Sequence, residues 1–236
     1  MGTGQDLESP GTLDGSRLGA KPPGGIDPVP RRPPERAGAG ALREQGILGT
    51  SRNTEQTGAL AVNYSQTAHP GRIRIPLGAG ELWQAANNSQ NMLIRGLPVD
   101  WTSIRLKIAS FNPTRDFQQV GLLVYQDDDT YVNVQRNFNL AAGGPVVGFF
   151  SETGGVTTRT DRRPLSNSGN LLLRLDRDPT TNRFSTFYSV DDGLNWVQLV
   201  GAPAVTLSDA RLAIQVGADV SGAGATAELA WVEILR

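Results

Sequence analysis

The sequence contains no cysteine and a single histidine, His69. The absence of cysteine excludes disulfides, thiolate zinc sites and a cysteine nucleophile. A Ser-His-Asp triad would have to use His69, but that residue sits beside Pro70 and no nucleophile motif surrounds it. The position is typical of an exposed loop histidine. The sequence therefore gives no support to hydrolytic chemistry that depends on cysteine or histidine.

An excess charge of either sign and long apolar runs are also lacking. The formal net charge is −1, which gives no overall attraction to nucleic acid or acidic membranes. No apolar run approaches the roughly 20 residues that span a bilayer. The N-terminal residues show neither the basic region nor the apolar region of a secretory signal. We therefore expect no nucleic-acid partner, no membrane partner and no Sec-type signal peptide.

Residues 1–63 contain no aromatic side chain, and glycine and proline recur throughout, as in Pro22-Pro23-Gly24-Gly25. Such a segment buries too little apolar surface to offset the entropy of ordering. The composition predicts an extended arm with little regular structure, held in place by other subunits of an assembly. Residues 64–81 are interpreted as a linker that includes the first strand.

Residues 82–236 are predicted to form an all-β domain. Apolar and polar residues alternate in short runs, with turn residues between them. The clearest example is the hairpin over residues 119–135, where Val120, Leu122 and Val124 share one face of the first strand. Many short strands with frequent turns are typical of a β-sandwich or barrel.

The turn of this hairpin contains the predicted carbohydrate site. Aromatic rings stack on the C–H faces of sugars, while amides and carboxylates bind the hydroxyls. Because Tyr125 and Tyr131 flank an acidic turn, Tyr125, Asp127, Asp128, Tyr131 and Asn133 are predicted to form an outward binding patch. The carboxylates leave Ca²⁺ binding open, but three consecutive aspartates cannot all face one ion. A solvated hairpin tip is therefore favoured over a metal site.

A second motif, Ser-x-Asp-x-Gly-x-x-Trp, occurs once, formed by Ser189, Asp191, Gly193 and Trp196. This pattern is an Asp-box, in which the aspartate accepts backbone N–H bonds, the glycine takes a positive φ and the tryptophan packs under a hairpin. Sialidases carry several such boxes. The turn chemistry explains every residue of this single copy, so we predict a structural role for it.

Glycoside hydrolysis requires two carboxylates at a defined separation. Glucanases with related sandwiches carry them in a Glu-x-Asp-x-x-Glu run, which this sequence lacks. Glu228 and Glu233 lie five residues apart and would face opposite sides of a continuous strand. We therefore predict that the chain is not an enzyme. The short basic pair Arg162-Arg163 is interpreted as part of a solvated loop.

Four segments show a family resemblance: residues 117–132, Leu172-Leu-Arg-Leu175, residues 187–196 and the closing residues 227–234. In order and spacing they are similar to the concanavalin A-like domain at the C-terminus of bacterial β-xylosidases and to related lectin and laminin-G-like modules. The resemblance implies a two-sheet antiparallel jelly-roll sandwich. It also implies a domain that is usually non-catalytic and often joined to proteins that handle polysaccharide. A xylosidase would have a propeller domain upstream, where this chain has the arm.

Two functions remain open at this point. The first is a non-catalytic structural protein of a larger assembly, namely a bacteriophage capsid decoration, tail or fibre component. In that role the arm of residues 1–63 would contact neighbouring subunits on a virion or an extracellular surface. The alternative is a carbohydrate-binding module associated with polysaccharide degradation. The arm and the absence of a signal favour the first, and neither function requires a cofactor.

Overall fold

The computed structural model describes residues 35–38, 63–64, 67–166, 168–218 and 225–236. These residues are nearly all β-structure, with one short 3-10 helix at Leu140–Ala142. In the described part of the chain, no helix is long and apolar enough to cross a membrane. The strands are β1 (Glu35–Gly38), β2 (Asn63–Tyr64), β3 (Ile73–Pro76), β4 (Gly78–Ala79), β5 (Asn91–Gly96), β6 (Ser103–Ser110), β7 (Gln119–Asp127), β8 (Thr130–Asn139), β9 (Gly144–Thr153), β10 (Val156–Pro164), β11 (Leu171–Arg177), β12 (Phe184–Ser189), β13 (Val197–Leu199), β14 (Arg211–Ala218) and β15 (Thr226–Leu235).

Two sheets are packed face to face. Sheet A has the order β13-β12-β11-β6-β15-β3-β2, and β1 also pairs with β15. Sheet B has the order β10-β9-β8-β7-β14-β4, and β5 also pairs with β14. The strands pair antiparallel except for β4 and β14, which are parallel. The predicted two-sheet, predominantly antiparallel sandwich is confirmed.

The core between the sheets follows the alternation of the sequence. Three side chains of β6 and three of β7 are at most 1% exposed: Ile104, Leu106, Ile108, Val120, Leu122 and Val124. Burying one such side chain contributes about 1.5–3 kcal/mol. Because side chains alternate across a strand, the residues between them in β7 face the other side of sheet B. That other side contains the groove described below.

Most of the predicted arm lies outside the described residues, and its proposed contacts with other subunits stay a prediction. The exceptions are β1, which pairs antiparallel with residues Trp231 to Ile234 of β15, and Asn63 of β2, which pairs with Arg74 of β3. In the region interpreted as a linker, β3 pairs with β15 and β4 with β14. This region therefore contributes strands to both sheets.

Candidate functional site

The outward side of sheet B carries a groove, here called the sheet B groove. Its floor includes a row of paired positions across five strands, namely Arg162, Gly148, Gln135, Gly121 and Gln215. Two of these positions are glycines, which leave space on the floor. The other three positions carry amide or guanidinium groups. A groove with a polar floor of this kind can take a polar chain laid across the strands.

The groove has a volume of about 340 Å³. Its lining combines aromatic rings, amides and two arginines. The lining residues are Glu81, Leu82, Trp83, Phe117, Gln119, Tyr131, Gln135, Asn137, Asn139, Ala141, Phe150, Arg159, Arg162 and Gln215. A smaller adjoining depression shares residues with it, including Trp83, Phe150, Arg159 and Arg162, and Asp161 also lines this depression.

The aromatic wall of the groove is formed by Trp83 and Phe150. Their rings meet edge to face, with centroids 5.5 Å apart. Trp83 is half-buried, and the guanidinium carbon of Arg159 lies 5.4 Å from its ring centroid. Phe150 also meets Tyr131 edge to face at 6.0 Å. The tryptophan is thus held by Phe150 and Arg159, and part of its surface faces the groove.

Two buried polar groups hold the backbone on either side of Trp83. The Tyr131 hydroxyl lies 2.8 Å from the carbonyl oxygen of Leu82, and the Gln84 N–H donates to Glu152 Oε2 at 3.0 Å. The same Oε2 accepts from Thr157 at 2.8 Å and lies 3.0 Å from the Tyr131 hydroxyl. Burial, followed by the charge of Glu152, raises the pKa of Tyr131 far above its ordinary value. Tyr131 and Glu152 therefore position Trp83.

The structure buries three of the five residues of the predicted binding patch. Tyr125 is 6% exposed, Asn133 is 1% exposed and Tyr131 is not exposed at all. Tyr125 and Tyr131 pack in an apolar cluster with Leu82, because the segment 81–90 covers this end of sheet B. The expectation of two outward rings is wrong in this respect. Of the predicted residues, Tyr131 lines the groove and Asn133 lies beside its floor.

The acidic turn is organised by its own hydrogen bonds. Asp127 accepts from the Asp129 N–H at 3.0 Å, and Asp128 accepts from the Tyr125 hydroxyl at 2.8 Å. Asp129 accepts from the Asn87 amide at 2.7 Å. The carboxylates thus serve separate partners. Among the described residues, no three acidic or histidine side chains are grouped so as to hold a metal ion.

The rim of the groove includes Phe117, an aromatic residue with an unusual backbone. Its side chain is 38% exposed and its φ is 59°, a left-handed value that is costly for a bulky residue. Two backbone hydrogen bonds of 3.0 Å connect this loop to the end of β8. The Phe117 N–H donates to the Phe138 carbonyl, and the Phe138 N–H donates to the Gln118 carbonyl. The loop is thereby fixed with an exposed ring at the groove.

The Asp-box turn lies at the end of β12 in sheet A. Asp191 Oδ1 accepts from the Asn195 N–H at 2.9 Å and from the Ser189 hydroxyl at 2.7 Å. These bonds lower the pKa of Asp191 to about 2. Gly193 takes a φ of 85°. Trp196 is half-buried, with Arg105 and Arg174 at 5.7 and 5.5 Å from its ring centroid. Every named residue of the motif thus has a structural contact.

The two glutamates of β15 lie on one side of the strand, contrary to the expectation for a continuous strand. The register of β15 against β6 shifts near Ala230. Glu228 forms an ion pair with Arg72 at 2.9 Å, and Glu233 with Arg105 at 3.2 Å. Both carboxylates are engaged in sheet A and take no part in the groove.

Sequence reasoning missed most of the groove. The available signal was the alternation of amides along β8, where Asn133, Gln135, Asn137 and Asn139 occupy every second position. All four are nearly buried, and three of them line the groove. Phe150, Arg159 and Arg162 gave no comparable signal, because their convergence depends on the pairing of β9 with β10.

The comparisons with known proteins agree with this architecture. Residues 56–220 match the family described as "Beta xylosidase C-terminal Concanavalin A-like domain". A search of curated proteins finds no match to the chain. Nothing in these comparisons supports the virion function, and they favour the carbohydrate-associated alternative.

Solved structures with the same fold include enzymes and a lectin-like domain. The GH43 BlXynB protein from Bacillus licheniformis is similar with a TM-score of 0.59 and 17% identity, over 73% of this chain and 34% of that chain. A Bacteroides ovatus protein, "Xyloglucan PUL GH43B", gives 0.59 and 16% over 77% and 38%. A legume lectin-like domain from Entamoeba histolytica gives 0.50 and 11% over 74% and 86%.

The chain spans about a third of the length of the first of these GH43 structures, and the similarity covers the sandwich. The family match includes β2 to β14, and therefore all the strands that build the sheet B groove. The chain belongs to the family of β-xylosidase C-terminal concanavalin A-like domains.

Proposed function

We propose that this domain is a non-catalytic carbohydrate-binding module that takes a polysaccharide chain into the sheet B groove. The observation that carries the proposal is the aromatic wall of Trp83 and Phe150 standing beside the amides of β8. The groove brings the partly exposed ring of Trp83 and the amides of β8 to one space.

The chemistry of the lining suits a sugar. A pyranose ring has an apolar C–H face and a rim of hydroxyls, so it needs both a ring to stack on and hydrogen-bond partners. Trp83 supplies the first, and Gln119, Gln135 and Asn137 supply the second.

The carboxylates near the groove support a binding role rather than catalysis. Glu152 is fully buried, and its Oε2 already serves Gln84, Tyr131 and Thr157. A general acid or base must be able to reach the bond that it protonates or the water that it activates. Glu81 lines the groove without a second exposed carboxylate beside it in the lining.

The choice of glycan follows from the relatives. One similar structure is a xylan β-1,4-xylosidase from Bacillus halodurans, and another has the name "Bacteroides ovatus Xyloglucan PUL GH43B". We therefore expect the groove to accept backbones of xylan or xyloglucan type. In this function the domain would hold polysaccharide near a degrading activity.

The test is isothermal titration of the full chain with soluble xylan and with xyloglucan oligosaccharides. We expect binding to at least one of them. Trp83→Ala should weaken it about tenfold, because a lost aromatic contact costs about 1–1.5 kcal/mol. Trp196→Ala is the matched control, since that ring lies in the Asp-box turn of sheet A.

Two results would contradict the proposal. One is that neither glycan binds the wild-type chain. The other is that Trp83→Ala and Trp196→Ala have equal effects on affinity, because a groove site requires only Trp83. Thermal unfolding of both variants shows whether either substitution disturbs the fold.

A further inference from the structure

Two arginines meet at one side of the sheet B groove because β10 contains an irregularity. The register of β10 against β9 shifts between Arg159 and Asp161, so Thr160 is an extra residue. In a regular strand, Arg159 and Arg162 would face opposite sides of the sheet. The bulge puts them on the same side, as bulges commonly re-aim a side chain.

The pairing confirms which side this is. Arg159 lies opposite Phe150 and Arg162 lies opposite Gly148, and both arginines line the groove. Asp161 and Arg163 instead form an ion pair of 2.9 Å, and Asp161 also accepts from the Val200 N–H at 2.7 Å. The neighbouring basic residues Arg162 and Arg163 therefore have different surroundings.

The two groove arginines form no ion pair with the described residues. None of the ion pairs between described residues involves Arg159 or Arg162. Burial, followed by the positive charge of Arg162, lowers the pKa of Arg159. Two like charges thus line one groove, and the nearby carboxylate of Asp161 is paired with Arg163. An anionic group between them would relieve this repulsion.

The other charged groups of the groove leave this position open to a ligand. Glu81 lines the groove next to Leu82 and Trp83. Glu152 is buried beneath the Trp83 segment. Opposite Arg162, Gly148 carries no side chain, and a Cβ built there meets only the Asp161 carbonyl oxygen at 3.8 Å. Space and positive charge therefore coincide at this end.

We propose that the groove selects glycans that carry a carboxylate, such as uronic acid substituents, and that Arg159 and Arg162 bind this group. The inference rests on the proposed carbohydrate function and specifies its ligand class. Guanidinium groups match a carboxylate in geometry and form paired hydrogen bonds with it. Trp83, which lies under Arg159, would stack on the sugar ring that bears the carboxylate or on its neighbour.

The experiment compares one polymer in two forms. Glucuronate-substituted xylan and the same xylan after carboxyl reduction are titrated into the full chain at low and high salt. We expect the carboxylated form to bind about tenfold tighter at 50 mM salt, with the advantage shrinking at 500 mM salt. Arg162→Gln should remove the preference, so that the carboxylated and the reduced polymer bind with equal affinity.

Arg163→Gln is the matched control, because Arg163 does not line the groove and is paired with Asp161. It should keep the preference. Equal affinity for the two polymers would overturn the inference while leaving the carbohydrate function standing. Failure of both polymers to bind would overturn both. Equal losses in Arg162→Gln and Arg163→Gln would assign the effect to overall charge and overturn the proposed site. The salt dependence of the wild-type chain tests the same point without any variant.

Discussion

Tyr125 and Tyr131 flank the same turn, and their hydroxyls form a matched pair of sites for perturbation. Both rings are buried in the cluster below the segment 81–90. The Tyr125 hydroxyl donates to Asp128, which is half-exposed to water. The Tyr131 hydroxyl lies between the Leu82 carbonyl and Glu152, and both of these residues are buried. Replacing each tyrosine by phenylalanine removes one oxygen in two different environments.

The expected costs differ because only one of these sites is dry. In Tyr131→Phe a buried acceptor loses its donor, which costs about 1–3 kcal/mol. The middle of this energy range, about 2 kcal/mol, corresponds to a fall in Tm of about 4–8 °C for a domain of 150–250 residues. In Tyr125→Phe water replaces the donor to Asp128, so the free energy of unfolding should change by less than about 0.5 kcal/mol.

Urea unfolding and differential scanning calorimetry of the two variants measure these costs. Tyr131→Phe should also weaken glycan binding, because the Leu82 carbonyl next to Trp83 loses its contact. Equal destabilisation by the two substitutions would contradict the claim that only the Tyr131 hydroxyl lies at a dry site. So would a stable Tyr131→Phe variant with unchanged Tm.

Alkaline pH gives a second measurement on the same residue. The pKa of Tyr131 is raised in the folded state, so the stability that its neutral form contributes is complete below its ordinary pKa of 10.0 and is lost as the pH rises above it. The unfolded chain releases this proton and the folded chain keeps it. Between pH 9 and pH 11 the wild-type chain should therefore lose about 1.4 kcal/mol more than Tyr131→Phe.

Two further predictions concern glycines and the Asp-box turn. Gly121→Ala should destabilise the domain by about 1–3 kcal/mol, because the new Cβ would lie 2.8 Å from Asn133 Oδ1; Gly148→Ala, whose Cβ meets only one atom at 3.8 Å, should change the Tm little. Equal Tm values for the two variants would contradict this. Asp191→Asn should make the free energy of unfolding less dependent on acid pH. The lowered pKa of Asp191 gives stability that is present above its ordinary pKa of 3.8 and is lost as the pH falls toward about 2. Acid titrations followed by circular dichroism check this, and identical acid limbs would contradict it.

The sandwich could be predicted because its core follows local rules. The alternation that placed Val120, Leu122 and Val124 on one face is set by strand geometry alone. The pairing of Tyr125 with Tyr131 across the hairpin follows from the same rule. These regularities fixed the strands and the family resemblance, and the structure confirms the fold.

The site could not be predicted to the same degree, because it depends on what covers each face. Alternation assigns Tyr131 to the outward side of sheet B, but it cannot show that the segment 81–90 folds over that side. Likewise the sequence does not reveal the extra residue Thr160, which brings Arg162 to the side of Arg159. Long-range packing and a local bulge thus decide which residues meet in the groove.

The most direct test of the central claim is to map a bound glycan on the chain by NMR. A xylo-oligosaccharide is titrated into ¹⁵N-labelled protein, and side-chain amide and indole signals are followed. We expect the largest chemical-shift changes at Trp83, Gln119, Gln135 and Asn137, which line the sheet B groove. Shifts confined to the turn at Asp127–Asp129 or to sheet A would contradict it, and so would the absence of any shift.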